Sequence, residues 1–369
     1  MDPTETDAPP SPPQRPGPSG PSAVQAPLPG STTCPFTPHP HEGIGGEILN
    51  DAESFQVDEV PAYAPTGEGD HWFVRVRKTG LTTPELRDLL AQAAGVDSRD
   101  VGVAGRKDRQ AITTQWMSLP RAPVDPEHER VQILEVARHP HKLRLGHLGG
   151  NRFQVRITGV QHPERLPALV DLMQRGLPDY FGAQRFGRYG LYDGLRLCAD
   201  PRRRVKDPKF LASVVQSAIF NLWLGERVRS ERLHAAIEGD ILRKRATGGL
   251  FVCREPEVDT PRVLAGELDP TGPMPGPKTW AAEGEAAQAE AAALDAMGLS
   301  PDMLKTLGRF AEGTRRVARI QPDDLQTEFT DPTTLVLRFT LPKGAFATVL
   351  LGFLIDPTQP FHRTEEVEG

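Results

Sequence analysis

Gly102–Leu119, GVAGRKDRQAITTQWMSL, is the stretch on which the fold and the chemistry both turn. Gly102 and Gly105 let the backbone turn tightly, and Lys107-Asp108-Arg109 then sets one carboxylate between two permanent cations. The residues after it, from Ala111 to Leu119, have the β-branched and aromatic content of a strand. Asp108 is therefore expected at a loop–strand junction, ionised at neutral pH and able to approach a phosphate backbone. That points to carboxylate chemistry on a nucleic acid. The competing reading is a solvated turn whose charges pair with one another.

Toward the N-terminus, Thr82 is a candidate helix cap, with Pro84 in the first turn and Glu85 at the capping-box position. Leu86, Leu89, Leu90 and Ala93 form an apolar stripe, and Gly95 ends the helix. Before it, His71–Arg77 and the alternating Phe55, Val57 and Glu59-Val60 read as strands, separated by the turn Gly67-Glu68-Gly69-Asp70. Toward the C-terminus, 131–134 and 153–157 read as strands around a basic, histidine-rich segment from His139 to His147. Without a converging acid, those histidines fit an edge that meets phosphates better than a metal site. Helices are expected over 166–174, 210–229, 281–297 and 345–354, and a strand over 333–341. The composition changes near residue 188 and strand character returns only near 333, which predicts one α/β domain interrupted by an insertion.

Of the 369 residues 38% are apolar and 25% charged, which fits a folded protein. The first 43 residues are rich in Pro, Ser, Gly and Thr and predict a disordered tail. No apolar run is long enough for a membrane span, and no signal pattern opens the chain. Cys34, Cys198 and Cys253 are too widely spaced for a disulfide framework or a zinc knuckle. A cytoplasmic protein without a membrane partner is expected. The net charge of −6 argues against indiscriminate polyanion binding. Local clusters at Arg202-Arg203-Arg204 with Lys206, Arg243-Lys244-Arg245 and Arg315-Arg316 with Arg319 leave a nucleic-acid partner open.

Taken together these segments resemble the TruD family of tRNA pseudouridine synthases. The likeness is carried by AGRKDRQAITTQW at 104–116, HKLRLGHLGGNRF at 141–153, LPDYFGAQRFG at 177–187, SAIFN at 217–221, GDILRKRATGGLF at 239–251, GTRR at 313–316 and LPKGAFAT at 341–348. The resemblance implies a catalytic domain of the α/β (α+β) class, a curved antiparallel sheet with flanking helices, interrupted by a family-specific α+β insertion. The corresponding division is a tail at 1–43, catalytic parts at 44–203 and 317–369, the latter with a C-terminal tail, and the insertion at 204–316.

The implied reaction breaks the N1 glycosidic bond of a uridine, rotates the base and joins C5 to C1′, with no metal or cofactor. The implied substrate is tRNA, at uridine 13 of the D arm, flipped from the stack. Asp108 would be the nucleophile, or would help form a glycal. Phe181 would stack on the uracil, Phe55 and Phe346 would wall the pocket, and Arg109, Lys142 and Arg144 would hold phosphates. Asp179 replaces the asparagine usual before Tyr-Phe-Gly, Leu49 replaces a common lysine, and Ala52-Glu53-Ser54-Phe55 replaces Pro-Glu-Asp-Phe. Around Leu351-Gly352 a further arginine is missing. If Asp179 faced Asp108, repulsion would raise one pKa. A tRNA-binding or folding protein that has lost the chemistry, and a base-removing glycosidase, remain as alternatives, and the architecture suggests a monomer.

Overall fold

The computed structural model of the chain describes residues 41–358 apart from 108, 110, 183, 184, 188, 189 and 201. Asp108, nearly all of the Pro-rich tail and residues 359–369 thus lie outside the described residues. The strands are β1 Phe55–Pro61, β2 His71–Thr79, β3 Gly102–Val103, β4 Ile112–Leu119, β5 Val131–His139, β6 Leu148–Ile157 and β7 Leu177–Pro178. After them come β8 Ile241–Lys244, β9 Leu250–Val252, β10 Leu268–Met274, β11 Thr314–Val317, β12 Arg319–Ile320, β13 Asp323–Asp331 and β14 Thr334–Pro342. The α-helices are α1 Thr83–Ala94, α2 Leu166–Arg175, α3 Gly190–Ala199, α4 Pro208–Arg229, α5 Pro256–Leu264, α6 Gly284–Ala296, α7 Pro301–Phe310 and α8 Ala347–Ile355.

The larger sheet has the order β13-β14-β6-β1-β4-β2-β5, with β3 beside β4. It corrects the expected curved antiparallel sheet. β1 runs parallel to β4, in register Gln56 with Ile112 and Val57 with Thr113, while its other pairs are antiparallel. The sheet is therefore mixed; its order runs open from β13 to β5, and among the described residues no sheet is closed or strongly curled. The cause lies in the connection: β2, α1 and β3 intervene between β1 and β4, and such a crossover returns the chain parallel rather than through a hairpin. At one edge β13 is exposed along almost its whole length and rich in Asp, Glu and Gln, which offers nothing apolar to close against.

One face of the sheet is buried along its length. Phe153, Val155, Ile157, Leu337 and Phe339 pack under α2 and α8, and on the same face Val74, Val76, Met117 and Leu119 pack against Leu86 and Leu90 of α1. α1 begins and ends where its signals lie. Thr82 and Glu85 form the capping box, and Gly95 takes φ 64°, a left-handed conformation that suits glycine. A second sheet, β11-β10-β8-β9, is drawn wholly from residues between Ile241 and Val317. Among the described residues no helix is long and apolar enough to cross a membrane.

Candidate active site

Glu59 lies on the same buried face of β1 as Phe55 and Val57, so the strand carries a carboxylate into the core. Its Oε2 receives the Lys107 ammonium at 2.8 Å, and its Oε1 accepts the Trp116 N–H at 3.2 Å. Lys107 Nζ also donates to Asn151 Oδ1 at 2.9 Å. A Cβ on Gly105 would come within 3.1 Å of that ammonium and 3.3 Å of Glu59 Oε2, a tight fit that the ion pair would have to shift to admit. The Lys107 backbone N–H donates to Thr83 Oγ1 at 2.9 Å, and that hydroxyl donates to Gln115 Oε1 at 3.1 Å. On the other side of position 108, Arg109 donates to Gly80 O and to Glu85 Oε1, both at 3.3 Å. Hydrogen bonds from Thr82 are the main cause holding the Glu85 carboxyl below its ordinary range; desolvation opposes them, and Arg109 and Lys78 add to them. Both residues flanking Asp108 are thus anchored to core strands and to the first turn of α1. Ala52 O accepts the Ile112 N–H at 3.4 Å, which brings the substituted Ala52–Phe55 segment against the same loop.

From this loop a chain of contacts leads to the aromatic residues. Gly146 donates its N–H to Ala104 O at 2.8 Å, and Lys343 Nζ donates to Gly146 O at 3.3 Å. Arg316 donates to Gly344 O at 3.3 Å, and its Nη2 meets Asp179 Oδ2 at 2.7 Å. The Arg316 guanidinium lies 4.1 Å from the centre of the Phe181 ring, and the Phe346 ring is 6.2 Å from it on centroids. Asn221 fixes the Phe181 backbone by two bonds of 2.9 Å, one to its N–H and one from its own amide to the carbonyl. Six of the quoted motifs are thereby joined in one chain of contacts that ends at Phe181. The Phe55 ring meets that of Phe153 at 6.0 Å.

Asp179 is buried, and among the described residues its Oδ1 has no hydrogen-bond partner. Burial pushes its carboxyl up to about 6, with Asp269 adding and Arg316 opposing. Because the folded protein holds this proton more tightly than the unfolded chain, the group's stabilising effect is fully present below about pH 4. That effect is lost as pH rises through about 6. Asp179→Asn is expected to remove this part of the pH dependence, at most about 3 kcal/mol at ~1.4 kcal/mol per pKa unit. Urea unfolding at several values between pH 4 and 7 measures it. A slope equal to the wild type's would assign the dependence to other groups.

The basic residues divide in two. Arg245 forms a bidentate pair with Asp269 at 2.8 Å, Arg315 pairs with Glu290 at 2.7 Å, and Arg319 is buried against Asp269 at 3.1 Å. These side chains brace the second sheet. Lys142 donates to Arg99 O at 2.6 Å and ties its loop to the turn at 98–100, while Arg144 is exposed. His139 stacks on Tyr63 at 5.1 Å, and His147 Nδ1 lies 2.8 Å from the Tyr63 hydroxyl. Burial, then His141 and His71, lower the His139 pKa, so it adds no charge to that edge at neutral pH. No group of three or more potential metal ligands occurs among the described residues. The sequence reading gave Glu59, Thr83 and Asn151 no role in the site. Glu59 had a legible signal, a carboxylate in phase with Phe55 and Val57 on a core-facing strand.

The open mixed sheet with its inserted smaller sheet places the chain in a known class of fold. It superposes with a TM-score of 0.69 on the crystal structure of the putative tRNA pseudouridine synthase D (TruD) from Methanosarcina mazei, at 22% identity, covering 86% of this chain and 96% of that one. Residues 38–191 and 208–352 match the family model of tRNA pseudouridine synthase D (TruD). The tRNA pseudouridine synthase D of Anaeromyxobacter sp. (strain Fw109-5) is 43% identical over 335 residues, 87% of this chain and 95% of that protein. That of Thermus thermophilus is 38% identical over 330 residues, covering 86% and 90%. The chain belongs to the TruD family, and is an isomerase of the tRNA pseudouridine synthase type.

Proposed function

We propose that this protein converts uridine 13 in the D arm of tRNA to pseudouridine, with Asp108 as the nucleophile at C1′. The observation that carries the proposal is the anchoring of both neighbours of Asp108: Lys107 by Glu59, Asn151 and Thr83, Arg109 by Glu85 and Gly80. Such anchoring suits a group that must meet one carbon atom of a bound nucleotide. Lys78, fully buried on β2 and in register with Thr113 of β4, brings a further ammonium to the strand that leaves this loop. A cation there favours ionised Asp108.

The flipped uracil stacks on Phe181 and is walled by Phe346, which keeps the detached base beside C1′ while it turns. Asp179, through Arg316, helps hold Phe181. Phe55 supports this recess from the core side. Arg109, Lys142 and Arg144 meet phosphates along the approach. Uracil is both leaving and returning group, so the scheme calls on no metal or cofactor. The division into catalytic parts at 44–203 and 317–369 around an insertion at 204–316 goes with this reading, and one chain holds all the named residues.

A pseudouridine map of cellular tRNA tests it. In a strain lacking the gene, one D-arm uridine should stay unmodified and be restored by the wild-type gene. An unchanged map, in a host with no second enzyme for that position, would defeat the proposal. One observation favours a second reading, an RNA binder with reduced chemistry: Leu49 stands 43% exposed where a cation is usual. Tight tRNA binding with no product would identify it.

A further inference from the structure

A groove of about 520 Å³ opens between α3, the segment 203–207 and the first turn of α4. Val205, Phe210 and Leu211 line it with apolar surface, and Arg203 and Lys206 supply cations. Of its two acids, Asp193 lies 3.6 Å from Arg203, and Asp207 caps α4 by accepting the Phe210 N–H at 2.9 Å. Lys206 is exposed, and Arg202, Arg204 and Lys209 add charge nearby. Phe210 is 42% exposed, so part of its ring is open to solvent at the groove.

The groove is linked to the recess around Phe181. Arg185 places its guanidinium 5.5 Å from the Phe210 ring and 5.8 Å from the Phe181 ring. Ser213 Oγ at 2.7 Å and Ser217 Oγ at 3.3 Å hold it in that position. A ring–cation–ring series therefore runs from the candidate base pocket to the groove. Most of the groove's lining, from Asp193 to Asp207, falls in the gap between the two stretches matched by the family model.

We propose that this groove is a second nucleotide subsite: it takes an RNA nucleotide flanking the target uridine, with its base stacked on Phe210 and its phosphate held by Lys206 and Arg203. An exposed ring beside cations is the arrangement by which single-stranded nucleotides are held without sequence readout. Flipping the target uridine exposes its neighbour, which then needs a surface to replace lost stacking. The subsite rests on the proposed reaction, and it adds affinity rather than chemistry.

The test uses the full chain and unmodified tRNA. Phe210→Ala should raise KM about tenfold, in line with the loss of one stacked base. Lys206→Ser should raise KM severalfold and make the dependence of log affinity on log salt shallower by about 0.7. Both effects should fall on KM rather than kcat, which a general loss of structure would not produce. With benzoylphenylalanine at position 210, photo-crosslinks should map within two nucleotides of the modified uridine. Wild-type KM and salt slope in both variants, with crosslinks elsewhere or absent, would overturn the subsite. If the wild-type protein forms no pseudouridine, the reaction proposed above fails instead, and tRNA affinity and the crosslink position still decide on the groove.

Discussion

Asp108→Ala is expected to lower kcat for pseudouridine formation by about 10⁴-fold or more, corresponding to at least ~5 kcal/mol of transition-state stabilisation. tRNA affinity and the unfolding midpoint should stay near those of the wild type. The size of the loss follows from the absence of a substitute. The carboxylates joined to the flanking residues are engaged: Glu59 accepts from Lys107 and Trp116, and Glu85 accepts from Thr82 and Arg109. Neither can turn to C1′ without leaving a buried or capping donor unpaired, which itself costs about 1–3 kcal/mol. Asp108→Asn should be as inactive as the alanine variant, because it keeps the shape and loses the ionised oxygen. Single-turnover assays with radiolabelled tRNA measure this, and free uracil in the same samples distinguishes hydrolysis from isomerisation. An asparagine variant within tenfold of the wild type would remove Asp108 from the role of nucleophile.

The parts of the fold that sequence made legible are those governed by local chemistry. Thr82, Glu85 and Gly95 bound α1 because capping donors and a left-handed terminus are satisfied within a few residues. β10 was harder. Its Thr271-Gly272-Pro273 has the residue types of a turn, yet the strand is buried throughout, between β8 and β11. A Cβ on Gly272 would come within 2.3 Å of Trp223, so close packing, not a turn, explains that glycine. β13 was invisible for the opposite reason, since an exposed edge strand has no apolar alternation to detect. The parallel β1–β4 pairing is a property of the whole crossover and leaves no mark on either strand alone.

The site shows the same division. Motif order marked the residues around Asp108, Phe181 and Phe346, but not their partners. Arg316 belongs to a basic cluster in sequence, which suggested phosphate. In the fold it is committed to the Asp179 carboxylate and the Phe181 ring. Asp179 reads in sequence as an added charge set to oppose Asp108; its ion-pair partner among the described residues is Arg316. Only a tertiary contact settles whether a surface-type residue faces solvent or an internal acid. Arg245, Arg315, Arg316 and Arg319 are all of the second kind.

Lys107→Met is expected to destabilise the protein by about 3–5 kcal/mol, because it strands a buried carboxylate. The Lys107 and Glu59 side chains are 5% and 1% exposed, so water cannot take over the lost contact. Glu59→Gln should cost less, about 1–3 kcal/mol, since the amide oxygen can still accept from Trp116 or Lys107. Replacing both by methionine removes both buried charges and should recover much of the stability lost in Lys107→Met. Activity should not follow it back. With the ammonium gone, the loop before Asp108 loses its ties to β1 and Asn151, and keeps the Thr83 bond to the Lys107 N–H. A displacement of about 1 Å at a nucleophile is enough to cost roughly 10²-fold in rate. The double variant should therefore be folded, bind tRNA and turn over slowly, with the defect in kcat rather than KM. Denaturant unfolding and steady-state kinetics on Lys107→Met, Glu59→Met and the double variant form a double-mutant cycle for both quantities. If stability and kcat recovered together, the pair would be a structural brace alone; if Lys107→Met cost less than about 1 kcal/mol, the buried pair would not be holding this loop at all.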